Sequence, residues 1–207
     1  MGVGLAVVTV YGVLVLPLRP WLLGQAPHVL AVVTGSRPAL IAVGALAAAE
    51  SQPWLWPLAA AILSIVKFHW VFWWAGRLWG EAALVRVGGD SPRARRRIAR
   101  AEAVVRRYQL LAIVLTYVPL PVPREIVHVA LGTAGVPFRR FLLVDLLAAA
   151  ATQTVFLLLG MWLGESAVAV VREYAIYAGW IGLAVLVAMI VAGARSWWAK
   201  RRVSRRP

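Results

Sequence analysis

Two long apolar stretches of this chain are each interrupted by proline, glycine and charge. Residues 29–49 are apolar except for Thr34-Gly35-Ser36-Arg37-Pro38 in their first half. Residues 110–137 carry Pro119, Pro121 and Pro123, then Arg124 and Glu125, and close at Gly132, Gly135 and Pro137. Proline and glycine break helices, and an arginine in hydrocarbon is costly. A break in the backbone at membrane depth survives only where protein or a water-filled cavity covers it. Each stretch therefore predicts a re-entrant hairpin, about 29–49 and about 110–137, rather than a plain span.

Lipid is the solvent that the rest of the chain demands. Hydrophobic residues make up 62% of the 207, against about 45–50% in a soluble domain, so polar groups cannot cover the surface. Spans are predicted at 54–76, 140–162 and 174–194, with tryptophans at 54, 56, 70, 73, 74 and 79 as interfacial anchors. Lys67 is placed to snorkel. The formal net charge of +14 would suit nucleic acid, but its cations cluster at Arg86–Arg107 and Arg195–Arg206, beside apolar segments. That distribution is the one cytoplasmic loops of membrane proteins show, so no nucleic-acid partner is expected. Ser91-Pro92 reads as a helix start, and Ala94, Ile98, Ala101 and Val105 recur opposite arginines. Residues 91–108 thus predict a basic amphipathic helix on the cytoplasmic membrane surface. The absence of cysteine excludes disulfides and thiol chemistry. Residues 1–27 lack the basic start and cleavage site of a signal peptide and read as a membrane or interfacial helix.

Charge parity fits this layout. With Arg86–Arg107 inside, the second hairpin enters from inside, the span 140–162 leads out, and 174–194 returns to a basic cytoplasmic tail, 195–207. The first hairpin then enters from outside. With both broken stretches read as full spans, parity closes only if the halves are reoriented, so the charge rule alone does not exclude that layout. The predicted fold is all-α and integral to the membrane, with spanning helices around two opposed re-entrant hairpins, like an inverted repeat. Such repeats hold substrate near the midplane, between broken helices.

Several residues carry a resemblance. Trp73-Trp74-Ala75-Gly76-Arg77-Leu78-Trp79-Gly80 resembles the Y-x-x-G-R-x-x-G element of the DedA family of SNARE-associated, VTT-domain membrane proteins. Pro121-Val122-Pro123-Arg124, followed by Gly132, Pro137, Arg140 and Phe141, resembles its second signature, and Gly160 to Gly164 its closing G-x-x-x-G. Gly76, Arg77, Gly80, Pro121, Gly132 and Pro137 are the structural motif positions. The resemblance covers residues 28–194. It implies the hairpin fold, movement of lipids such as undecaprenyl phosphate, and proton-linked membrane homeostasis. Departures accompany it: the family's acidic residue in the first hairpin falls near Arg37, its aspartate before Y-x-x-G-R on His69, and the first arginine of its second signature on Val118.

Arg124, Arg37 and Arg140 are the candidate ligands for a lipid phosphate. A guanidinium at a helix start can grip phosphate with two bonds while free N–H groups assist. The competing reading pairs Arg124 with Glu125 or Asp145, and leaves Arg37 at an open hairpin mouth. Glu125, Asp145, His128 and His69 are candidates for proton coupling; for Asp145 the alternative partners are Arg124, Arg139 and Arg140, and for His69 it is Glu50. The three histidines and the acids show no metal-ligand spacing, and no nucleophile motif appears. Neither metal, cofactor nor catalysis is expected. Three functions remain open: a transporter or scramblase of phosphorylated lipid, a proton- or ion-coupled small-solute transporter, and a lipid-binding organiser without transport. Anionic membrane lipids are the expected partners, with a homo-oligomer possible, in the cell membrane.

Overall fold

The computed structural model describes residues 2–118 and 123–203. Pro121 lies outside the described residues. Twelve helices appear among those described, and no strand. They are α1 (Gly2–Val15), α2 (Leu18–Gln25), α3 (Pro27–Thr34), α4 (Arg37–Glu50), α5 (Leu55–Val66), α6 (His69–Trp79), α7 (Glu81–Gly88), α8 (Pro92–Tyr108), α9 (Leu110–Leu115), α10 (Arg124–Thr133), α11 (Phe138–Leu163) and α12 (Glu165–Val203).

Both interrupted stretches break where the sequence places the breakers. Gly35 adopts a left-handed φ of 64° between α3 and α4. A side chain there would also strike Ile65 Cβ at 2.8 Å and Ala61 O at 2.9 Å. Pro38 then sits at the start of α4, where its missing N–H costs nothing. In the second stretch Pro123 opens α10. At 1.5 Å per residue α3 and α4 are about 12 and 21 Å long, and α9 and α10 about 9 and 15 Å. Each is shorter than a hydrocarbon core of about 30 Å.

Two helix crossings tie the halves together in the same way. Gly76 of α6 and Gly132 of α10 face each other so closely that a Cβ on Gly76 would lie 1.9 Å from Val129 O, and one on Gly132 would lie 2.0 Å from Trp73 O. Gly44 of α4 and Gly160 of α11 repeat this, with 2.1 Å to Leu157 O and 2.1 Å to Ile41 O. In both crossings each glycine meets the carbonyl three residues before its partner. Both pairs run parallel. Along α6 and α10, His69 meets His128, then Trp73 meets Gly132, then Arg77 meets Gly135. Along α4 and α11, Arg37 lies over Phe156, then Ile41 meets Gly160, then Gly44 meets Met161. The second arm of each broken stretch thus packs on a helix from the other half. Small residues permit such close backbone contact where lipid gives helices no hydrophobic reason to associate.

Three helical segments are long and apolar enough to cross a membrane: Leu55–Trp79, Phe138–Leu163 and Glu165–Met189. The first is not one rod, because Lys67 and Phe68 form a turn between α5 and α6. The last is helical from Glu165, so the expected loop before residue 174 is absent.

Three expectations are corrected. The apolar face of α8 does not lie on a membrane. Ala94, Ile98, Ala101 and Val105 are buried, and Ile98, Ala101 and Val105 join Leu84, Ile126 and Phe141 in the main core. Lys67 does not snorkel. Its Nζ donates to Val33 O (2.6 Å), Tyr11 Oη (2.7 Å) and Ser64 Oγ (3.1 Å), and lies 4.1 Å from the Tyr11 ring centroid. A cation suits this place, because Val33 is in the last turn of α3, where carbonyls lack intrahelical partners. Trp73 is no interfacial anchor. It is buried, and its Nε1 donates to Val136 O at 3.1 Å.

Candidate functional site

The two breaks meet. Arg37 is the first residue of α4, and its Nη2 donates to Tyr117 O at 2.7 Å, just before the second break. Its guanidinium carbon lies 5.1 Å from the ring centroid of Phe156 on α11. Gln153 Nε2, buried on α11, donates to Gly35 O at 2.9 Å and so fixes the first break from the opposite half. Arg124 is the first residue of α10. Arg37, Arg124 and Tyr117 lie within one another's electrostatic reach. Both arginines are half-buried, and each opens a helix whose first N–H groups have no intrahelical acceptor, directly after one of the two breaks.

The ion pair expected of Arg124 with Glu125 or Asp145 is not formed among the described residues. Among the described residues neither Arg37 nor Arg124 pairs with a carboxylate. Glu50, the alternative partner of His69, pairs with Arg172 at 2.6 Å. Arg37 is half-buried and bonded, not free at an open mouth.

Asp145 is wholly buried on α11 and takes different partners. His69 Nδ1 lies 2.8 Å from its Oδ2, and Tyr117 Oη donates to its Oδ1 at 2.8 Å. His128 of α10 brings Nε2 to 4.0 Å from Oδ1 and its ring centroid to 4.4 Å from that of His69. Neither nitrogen of His128 has a hydrogen-bond partner among the described residues, although the residue is wholly buried. Three of the four proton-coupling candidates, His69, His128 and Asp145, therefore form one cluster. Glu125 is half-buried and forms no ion pair among the described residues. One ligand atom from each of the three clustered residues lies within 4.8 Å of the others. No sequence spacing announces this group, because it comes from three separate helices. The one local signal is the ionisable character of each residue inside an apolar segment.

Arg140 does not join the cluster. It is exposed and lines a separate cavity of about 360 Å³ with Arg106, Gln109, Gly135 and Pro137. Arg77 reaches the same turn, its Nη1 3.0 Å from where a Cβ on Gly135 would lie. Gly80 takes a φ of 53° at the bend into α7, which explains a glycine there.

The family model of the VTT domain matches residues 33–161. The chain belongs to the VTT-domain family. The match begins just before the first break and ends just after Gly160, so it encloses both breaks, both glycine crossings and the buried cluster. It is the DedA and SNARE-associated domain that the motifs resemble, and with the three long apolar segments it marks a membrane protein. No curated protein and no solved structure matches the chain.

Proposed function

We propose that this VTT-domain protein moves a phosphorylated lipid, a phospholipid or a polyprenyl phosphate such as undecaprenyl phosphate, between the leaflets of the cell membrane. The observation that carries this reading is that Arg37 and Arg124, each half-buried at the helix start after one of the two breaks, which meet at the Arg37–Tyr117 contact, have no carboxylate partner among the described residues. Buried or half-buried cations left unpaired are costly. A phosphate monoester or diester offsets that cost, accepts bidentate bonds and faces two helix N-termini. The parallel pairing of α4 with α11 and of α6 with α10 agrees with two hairpins entering from opposite faces. The clamp then lies near the membrane midplane, with Arg86–Arg107 and the C-terminal tail in the cytoplasm.

A lipid suits the surroundings better than a water-soluble anion. Ile41, one turn after Arg37 on α4, lines an apolar groove of about 410 Å³ with Pro38, Ala42, Leu163, Val170 and Tyr174. Residues four apart share a helix face, so an amphiphile with its phosphate at Arg37 has a place for its chain. The protein works as a carrier and not as an enzyme, and its partners are anionic lipids. The buried His69–Asp145–His128 group favours one second reading, a proton-coupled transporter on the same scaffold. A lipid-binding organiser remains the outcome if no movement occurs.

The test is translocation of labelled phospholipid and polyprenyl phosphate in proteoliposomes, with and without a pH gradient. Wild-type protein is expected to move at least one lipid, and folded Arg124→Ala to lose that movement. Failure of folded wild-type protein to move either would leave the organiser reading. Dependence on the gradient would bring in the proton-coupled one.

A further inference from the structure

We propose that His69, His128 and Asp145 form a binding site for one divalent transition-metal ion of the zinc type. The inference is independent of the lipid reading. Two imidazoles and one carboxylate are a donor set that zinc takes in three-ligand sites, with the fourth position left to another group. Here all three come from rigid helices: His69 from the start of α6, His128 from the middle of α10, Asp145 from α11. The parallel α6–α10 crossing sets the two histidine rings side by side, with centroids 4.4 Å apart. The Gly76–Gly132 contact, on the same pair of helices, fixes that spacing.

The distances suit an ion after a small adjustment. Ligands at about 2.0–2.1 Å from zinc in a tetrahedron stand roughly 3.3–3.5 Å from one another. His69 Nδ1 and Asp145 Oδ2, at 2.8 Å, must open by a few tenths of an ångström. The widest pair lies within 4.8 Å and must close by rotation of side chains. Asp145 also accepts from Tyr117 Oη at 2.8 Å, and a hydrogen bond of this kind orients a ligating carboxylate.

His128 is the second and separate observation. Both of its ring nitrogens are buried without a partner, while the cluster beside it contains the chain's only wholly buried carboxylate among the described residues. A buried polar group left unsatisfied is destabilising. An ion bound at Nε2 gives His128 a partner and links it to Asp145. Arg124 and Arg37 both oppose a dication. The Arg37 guanidinium is held at the backbone carbonyl of Tyr117, however, while the phenol at the other end of that residue reaches Asp145.

The full chain, purified in detergent and stripped with chelator, would be titrated with Zn²⁺ by calorimetry and with Co²⁺ by visible absorption. One ion per chain is expected, with a Co²⁺ d–d spectrum of a nitrogen and oxygen site. Binding should weaken at least tenfold in His128→Ala and in His69→Ala, and stay unchanged in His28→Ala, which alters a histidine outside the cluster. Absence of stoichiometric binding by folded wild-type protein would overturn the site, whatever the variants do. So would binding that survives both substitutions. Where an alanine variant fails to fold, His128→Gln or His69→Gln, which keeps a polar side chain in the place of the imidazole, carries the same test.

Discussion

Gly76 and Gly132 meet backbone to backbone, with each Cα within side-chain reach of the other helix's carbonyl. This contact sets the spacing of α6 and α10, and through it the position of His69 against His128. Gly132→Ala should therefore destabilise the protein by about 1–3 kcal/mol, the usual cost of an added methyl in a filled core. Gly179 is the control, because a Cβ added there would meet nothing within 4 Å. Gly179→Ala should be neutral or should raise stability by up to about 1 kcal/mol through helix propensity. Thermal unfolding in one detergent compares the two. Equal Tm values would mean that α6 and α10 do not touch as described.

The His69–Asp145 pair predicts coupling. Asp145 is wholly buried, hydrogen-bonded to His69 Nδ1 and accepting from Tyr117 Oη. Hydrogen bonds to charged groups contribute about 1.5–3 kcal/mol each. Asp145→Ala removes both and should be far more damaging than Tyr117→Phe, which removes one. A double-mutant cycle of His69→Ala with Asp145→Ala should return an interaction of about 0.5–3 kcal/mol. Strict additivity of the two losses, measured by denaturant titration, would separate the residues.

How much of this is legible in the sequence depends on whether the signal is local. Gly35, Pro38 and Pro123 act on their own backbone, so both breaks, and the arginines beside them, can be placed from the chain alone. Asp145 and His69 are 76 residues apart, and nothing in the neighbourhood of either names the other. An ionisable group in an apolar run says only that a partner exists. Gly44 gives no signal either, since its alanine-rich surroundings do not reveal which carbonyl it faces. Ala94, Ile98, Ala101 and Val105 do form the single apolar face that their spacing predicts. Periodicity cannot say whether lipid or protein covers such a face, and here Leu84 and Ile126 belong to the core that does.

The arginines predict unequal effects on transport. Arg124→Lys keeps the charge but loses the planar fork that binds phosphate through two bonds, so lipid movement should fall at least tenfold, close to the level of Arg124→Ala. Arg37→Ala should fall similarly. Arg140→Ala should stay within about twofold of wild type, because Arg140 lines a different cavity with Arg106. Proteoliposome rates at matched protein incorporation read this directly. A loss in Arg140→Ala equal to that in Arg124→Ala would dissolve the distinction between the two sites.

Helix α8 offers the clearest contrast between a lipid-facing and a protein-facing reading. Ile98 reaches Gly88 of α7 closely enough that a Cβ there would lie 3.0 Å from Ile98 Cδ1 and 3.2 Å from Ile126 Cδ1 of α10. Ile98 is thus the point where three helices meet. Ile98→Ala should cost about 2–5 kcal/mol, the range for truncating a buried aliphatic side chain. Arg97→Ala, one residue earlier and on the exposed face, should change stability by less than about 0.5 kcal/mol. Were α8 instead resting on lipid, Ile98→Ala would weaken membrane contact without lowering the unfolding temperature of detergent-purified protein. A large drop in that temperature for Ile98→Ala, with none for Arg97→Ala, assigns the apolar face of α8 to the core beneath it.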